Sequence, residues 1–456
     1  MTNLVADRPT AADGGDVPPL ARASTGVLVG VPLVIAAAIG FGIVTGNGIY
    51  VLGFVGFVLA LLISVTLHEA GHFFTARRYG MKSTHFFVGF GPTLWSRKRG
   101  ETEYGVKALP AGGFVKIVGM TQLEEVDPAD EPRAFWRQPA RQRVVVLAAG
   151  SIVHFIIAIL LVLLSSLLIG RAAEQSPAIG RVADCVTASA QGGCTDGGSL
   201  PSPALAAGLQ AGDIVVSVDG RPVDGALALV ESLRAAPGRT VPVVIERAGA
   251  RQSLQVTPVT VARESITPVE VDGEQTFPLQ SVGAIGVVPQ ERFDTERLGP
   301  VEAVTHSAEQ GKAMVTGIVT TLTRKLGTIT QVYGPDRDPA GFIGVVGAGR
   351  VSAEVISSEE TVSIKVLSFV LLVAGLNLFV GVFNLLPLLP LDGGHIGVLL
   401  YEQARDRVRR LRGYRGPLAR VDLTKLLPLT YAVVLFFAGF TLWLLGADLV
   451  NPIRIS

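Results

Sequence analysis

His68, Glu69 and His72 stand in the order His-Glu-Ala-Gly-His at the end of a long apolar run, Val51 to Leu67. On an α-helix, residues four apart lie about 40° apart around the axis and one turn apart along it. The two imidazoles therefore project from one face and can share a metal, with Glu69 close enough to face a metal-bound water. This is the spacing of zinc peptidases, in which two histidines hold the ion and the carboxylate acts as general base. Zinc lowers the pKa of its water to about 7, so Glu69 can take that proton and later pass it to a leaving amine. Gly71 keeps the helix slim beside the site. The competing reading is a chance match, or a histidine pair used for packing. It fits poorly at the end of an apolar segment, where ionisable side chains are costly and are kept for function.

A catalytic zinc needs a third protein ligand and an open position. His85, His154, His306 and His395 are the remaining histidines. The strongest candidate is instead Asp392, in Asn384-Leu-Leu-Pro-Leu-Leu-Pro-Leu-Asp-Gly-Gly394. Pro387 and Pro390 remove backbone donors and break a helix there. Gly393 and Gly394 allow conformations closed to other residues. A bent strut of this kind can swing Asp392 toward the histidines; the alternative is a helix end capped by the aspartate.

Together these motifs resemble the site-2 protease family of intramembrane metalloproteases. The resemblance also runs through Phe87-Val-Gly-Phe-Gly-Pro92, Glu101-Thr-Glu-Tyr104, Pro110-Ala-Gly-Gly-Phe-Val-Lys116 and a PDZ-like region. It is closest to the bacterial single-PDZ branch that cleaves membrane-spanning anti-sigma factors in regulated intramembrane proteolysis. By that resemblance His68, His72 and Asp392 are zinc ligands and Glu69 is the catalytic base. Asn384 would help hold substrate or the developing oxyanion by donating from its amide, unless a neighbouring helix satisfies it. His395 extends the Asp-Gly-Gly motif, either behind the ligands or as a surface histidine.

The elements that must position these groups are written in the hydropathy. Of 456 residues, 49% are hydrophobic, and the mean hydropathy is positive; a chain this apolar is no ordinary soluble enzyme. A net charge of +1 gives no support for a nucleic-acid partner. Residues 1–24 read as a disordered tail and 26–44 as an additional transmembrane helix. Core spans follow at 50–76, carrying the His-Glu motif, at 144–170, at 363–394, ending in the Asp392 motif, and at 426–446. Lys and Arg crowd residues 77–143 and the loop 395–425, from Arg77 and Arg78 to Arg143 and from Arg405 to Arg420. The positive-inside rule puts both segments in the cytoplasm and the 171–362 region outside. The two motifs then meet at one depth, near the cytoplasmic side of the cell membrane.

Within 77–143, aromatic and β-branched residues between Thr84 and Val118 alternate with glycines, predicting a membrane-associated hairpin or small sheet. Family members have such a sheet, and an unpaired edge can bind an extended peptide; a purely structural hairpin is the plain reading. Residues 177–260 read as a PDZ-like domain, on Ser202 to Val223 with its Gly212-Asp213 step and Asp219-Gly220 turn. Strands are expected near 241–247 and 252–257, with Val282-Gly-Ala-Ile-Gly-Val287 as a candidate peptide-binding loop. The domain would gate substrate, or serve as a folded spacer. Cys185 and Cys194 are either a disulfide or two thiols. Residues 261–362 read as an extracytoplasmic linker with an amphipathic helix from Pro300 to Leu326, whose Val315, Ile318, Val319, Leu322 and Leu326 stripe is a packed face or a membrane-surface face.

The expected fold is a polytopic α-helical membrane protein with a membrane-associated β-sheet and an extracytoplasmic PDZ-like α+β domain. The expected activity is zinc-dependent hydrolysis of a peptide bond in the transmembrane segment of single-span proteins, such as anti-sigma factors trimmed by an earlier protease, with the lipid bilayer as the other partner. A PDZ scaffold with a vestigial metal site, or a membrane zinc hydrolase acting on other substrates, are the alternatives; an intact Glu69 speaks against the scaffold.

Overall fold

The computed structural model describes residues 48–451 and Ile453, apart from 121–124, 188–193, 195–198, 267–268, 272–273, 325–330, 335–336, 338–340 and 417–419. The expected tail 1–24 and helix 26–44, and Leu326 of the amphipathic stripe, lie outside the described residues. The chain divides into two compact units, residues 1–163, 306–358 and 369–456 on the one hand and 164–305 with 359–368 on the other.

In chain order the elements are helix α1 (Gly48–Arg78), strands β1 (Ser83–Arg99) and β2 (Thr102–Ile117), and helix α2 (Ala140–Leu168). Then come β3 (Arg171–Val182), β4 (Ile214–Val218), β5 (Arg221–Pro222), α3 (Ala226–Arg234), β6 (Val241–Arg247), β7 (Ala250–Val256), β8 (Val259–Glu264), β9 (Leu279–Ala284) and β10 (Val287–Glu296). Helices α4 (Pro300–Arg324), α5 (Val345–Ser357), α6 (Val362–Asn384), α7 (Asp392–Leu411) and α8 (Leu427–Val450) complete the chain.

Among the described residues, four helical stretches are long and apolar enough to cross a membrane: α1, α2, α6 and Leu423–Val450, which contains α8. With 31 residues, α1 extends about 46 Å at 1.5 Å per residue, well beyond a hydrocarbon core of roughly 30 Å. Leu52, Leu59, Ile63 and Leu67 are exposed along it, as expected of a helix whose solvent is lipid. Where helices meet, side chains are small. Gly53 admits α5 so closely that a Cβ there would lie 2.8 Å from the Ala353 Cα, and Ser352 Oγ donates to the Gly53 carbonyl at 3.0 Å. This is the tight, small-residue contact typical of helices in lipid. The N-terminus of α5 is held in turn by Asp448 of α8. That buried carboxylate accepts from the Gly344 and Gly347 amides at 3.0 and 2.8 Å and from Arg337 Nη2 at 2.8 Å.

The β1–β2 ribbon is a sheet of four segments, because each strand bends. Phe86 pairs with Val115 on one side and Tyr104 on the other, while Arg97 pairs back with Tyr104. The bend in β1 falls at Gly89 and Gly91, with φ of +89° and +81°, where a side chain would be strained. Residues 113–117 thus form one edge and 93–99 the other. A buried core of Ala76, Met81, Ile117, Val146, Leu147 and Leu399 packs the end of α1, the end of β2, the start of α2 and the first turns of α7 together. The segment 395–425 is therefore not simply a loop: most of α7 lies in it, an amphipathic helix with Leu399 inward and Arg407, Arg409 and Arg410 outward.

The second unit is built on a sheet in the order β10-β3-β4-β6-β7, with β5 paired to β4. Val241, Val243 and Ile245 are buried while the residues between them are not, the period-two pattern of a half-covered strand. They pack with Ile179, Val215, Val218 and, from α3, Leu229 and Leu233. Asp219 and Gly220 both take positive φ, +54° and +76°, the two-residue hairpin turn that joins β4 to β5. Strand β10, in the segment read as a linker, pairs along the length of β3. Its alternation of exposed and half-buried residues left no apolar run to announce it. Cys185 and Cys194 form a disulfide.

Candidate metal centre

The helical spacing delivers what it promises locally. His68 and His72 lie on one face of α1, both buried, with their Nε2 atoms 3.1 Å apart. The bend after α6 then does the long-range work. Helix α6 stops at Asn384, and residues 385–391 turn through Pro387 and Pro390 before α7 begins at Asp392 itself. Gly393 and Gly394 are buried against the Leu385–Leu389 backbone, too closely for any Cβ. Asp392 Oδ2 arrives 3.4 Å from each of the two Nε2 atoms.

These three atoms suit a cation. His72 Nδ1 lies 2.7 Å from the Val146 carbonyl, which can only accept, so Nδ1 holds the proton and Nε2 presents its lone pair. Asp392 Oδ2 is buried without a hydrogen-bond partner among the described residues. As a metal ligand this aspartate would be ionised. A tetrahedral ion about 2.05 Å from each donor requires donor separations of about 3.3 Å; the triangle here has edges of 3.1, 3.4 and 3.4 Å. Two imidazoles, one carboxylate and a remaining open position form a donor set for catalytic zinc and equally for iron(II), so geometry alone does not choose the metal.

Glu69, next to His68, turns toward the sheet. Its Oε2 accepts from the Val115 amide at 3.1 Å, and a Cβ on Gly113 would lie 3.3 Å from its Cγ. The catalytic-base candidate is thus pinned between the candidate donors and the 113–117 edge. Asn384, half-buried at the end of α6, forms no hydrogen bond with the three donors among the described residues. Half-buried His395 sits one turn beyond Asp392 and lines a small cavity with Arg143, Glu402 and Arg420; burial pushes its imidazole below the ordinary value. His85 lies in β1, 3.7 Å from Glu103, and His306 lies in α4; neither is brought to the triad.

Three polar residues that spacing did not single out stand close behind the ligands. His154 of α2 is buried, with its ring centroid 5.0 Å from that of His68. Its Nδ1 meets Asn377 Oδ1 at 2.8 Å, and Asn377 Nδ2 donates to Ser64 Oγ at 3.1 Å. Their signal in the sequence was a histidine and an asparagine inside otherwise apolar spans.

Comparison with known proteins agrees with this geometry. The model of peptidase family M50 matches residues 56–418, from α1 through α7. The chain is 40% identical over 417 residues to the zinc metalloprotease Rip1 of Mycobacterium tuberculosis, covering 89% of this chain and 99% of that protein. It is 36% identical to the zinc metalloprotease Rip1 of Mycolicibacterium smegmatis over 89% of this chain and 98% of that one. It is 28% identical to the metalloprotease MmpA of Caulobacter vibrioides over 80% and 92% of the respective chains. These Rip1 relatives are named zinc metalloproteases, which favours zinc between the two metals that the donor set allows and an enzyme over a scaffold. The chain belongs to peptidase family M50, the site-2 proteases, and is a multi-pass membrane zinc metalloendopeptidase.

Proposed function

We propose that this chain cleaves the membrane-spanning segments of single-span proteins, with His68, His72 and Asp392 holding zinc and Glu69 as the general base. The observation that carries the reading is the convergence of three buried donors on one point, with Glu69 beside them and tied to a strand edge. Zinc, when bound, supplies a polarised carbonyl and a water acidic enough to be deprotonated near pH 7. Glu69 takes that proton and delivers it to the departing amine. Val146 keeps His72 in the metal-binding tautomer. Asn384 donates its amide to the substrate carbonyl as it gains charge.

A helical substrate hides its carbonyls in its own hydrogen bonds and must be unwound. The 113–117 edge offers replacement partners at the place where Glu69 stands. Phe90, Leu94 and Trp95, exposed on β1, suit a sheet that lies in the membrane interface. Sidedness follows from charge: the Arg-rich segments on either side of the site face the cytoplasm, and the β3–β10 unit lies outside. A closed Cys185–Cys194 pair agrees with an oxidising compartment there.

The outer unit reads as a PDZ-like gate. A groove of about 390 Å³ runs between α3 and the Val282–Val287 segment, lined by Leu229, Leu233, Val282 and Ile285. It admits an extended peptide, and a bulky extracytoplasmic domain would be refused while a trimmed stub passes. Anti-sigma factors after a first cleavage fit that description. The test is substrate trapping: the full-length Glu69→Gln protein should retain zinc and capture single-span chains that the wild-type protein cleaves. Full turnover by that variant would remove Glu69 from the mechanism.

A further inference from the structure

The two ligand histidines are held unequally. His72 donates from Nδ1 to the Val146 carbonyl at 2.7 Å. His68 Nδ1 is buried with no partner among the described residues. Metal-bound imidazoles nearly always give their second nitrogen's proton to an acceptor, which fixes both tautomer and ring orientation. With His68 Nε2 facing the metal, its Nδ1 must carry a proton.

The neighbouring ring has the complementary atom. Asn377 Nδ2 donates to Ser64 Oγ at 3.1 Å and to the Val373 carbonyl at 2.8 Å. A carbonyl only accepts, so the amide orientation is fixed and Oδ1 is the atom that meets His154 Nδ1 at 2.8 Å. His154 Nδ1 therefore carries the proton, and its Nε2 is a bare acceptor. The His68 and His154 centroids lie 5.0 Å apart with planes inclined at 44°, a separation at which ring nitrogens that face each other stand at hydrogen-bond length. Gly150, one turn before His154, makes the place of the His68 ring: a Cβ there would lie against its Cε1, 2.5 Å from Nε2 and 2.6 Å from Nδ1. Ser64, one turn before His68, closes the circuit across α1, α2 and α6.

We propose that His154 is the positioning partner of His68, its Nε2 accepting the Nδ1 proton and so setting the His68 ring toward the metal. The inference rests on His68 being a zinc ligand. Asn377 and Ser64 hold His154 in the tautomer that this requires.

Three variants of the full-length protein in detergent test it. His154→Phe keeps an aromatic ring but removes the acceptor. His154→Asn keeps a polar link toward Asn377 but stops short of His68. His154→Gln carries a carbonyl about as far out as Nε2. Zinc affinity by chelator competition should fall about 10–100-fold in the Phe and Asn variants and recover most of that loss in the Gln variant. The visible absorption of the cobalt(II)-substituted protein should shift in the first two and return in the third. The thermal midpoint of the metal-free protein should be alike in Asn and Gln. Wild-type affinity in all three variants would overturn the proposal, as would equal losses in Asn and Gln. The ligand reading is tested apart from it: if Asp392→Ala or His68→Ala left zinc stoichiometry unchanged, the ligand set itself would fail.

Discussion

The two units hold their polar groups by different means. In the β3–β10 unit, the buried Asp213 carboxylate is gripped by the Arg247 guanidinium at 2.6 and 2.7 Å and by the Gln210 amide at 2.8 Å. The ion pair is complete within the protein, beside an apolar core that covers one face of the sheet. In the apolar-helix unit, His68, His72 and Asp392 converge with lone pairs facing one another and nothing of the protein between them. The first unit satisfies this charge internally; the apolar-helix unit does the same for Asp448 but leaves, at His68, His72 and Asp392, a shape that a cation completes. A metal-free protein should therefore be strained in one unit and indifferent in the other.

The largest effect expected is on chemistry. Glu69→Gln should lower the cleavage rate by roughly 10²–10⁴ with zinc still bound, measured on a purified single-span substrate together with elemental analysis. Asp392→Ala should come next, lowering zinc occupancy in the full-length protein; unchanged stoichiometry would make the two units alike. Ile245→Ala should cost about 2–5 kcal/mol by cavity formation, seen as faster amide exchange across β4, β6 and β7, while zinc content stays the same. If zinc were lost with it, the two units would not be separable.

The smallest effect is a pH dependence confined to the β3–β10 unit. Burial would raise the Asp213 carboxyl, but Arg247 and the Gln210 amide together hold it below its ordinary value. Its contribution is complete above about pH 3.9, the ordinary aspartate value. It is lost as pH falls through the lower folded value, because the unfolded chain takes up the proton first. Asp213→Asn should flatten that acid dependence, at a cost of about 1.5–3 kcal/mol at neutral pH. Amide exchange followed from pH 6 downward checks both.

How much of this was legible depends on how local the cause is. The pairing of His68 with His72 follows from helix geometry alone, and the break before Asp392 follows from two prolines and two glycines. The Asp219-Gly220 turn and the β6 alternation are equally local. The contacts of Glu69 with the Val115 amide and of His72 with the Val146 carbonyl are made to backbone groups, which no side-chain pattern reports. Helix α5 begins in a glycine-rich stretch of weak intrinsic preference, and its first turn is capped by Asp448 from more than a hundred residues away. Strand β10 owes its place to pairing with β3 rather than to apolar alternation. His154 and Asn377 were visible as polar residues in apolar spans, but their partners come from three helices.

The α5 brace has a mechanical consequence. It presses on the front of α1 through Gly53 and Ser352, and it hangs from α8 by the Asp448 carboxylate. The helix that carries His68 and His72 is thereby braced against α8, far along its own axis from those two residues. A tug on α8 is transmitted to α1 as a lever arm rather than absorbed as slack, so Asp448→Asn should loosen the remote end of α1 before it disturbs the metal.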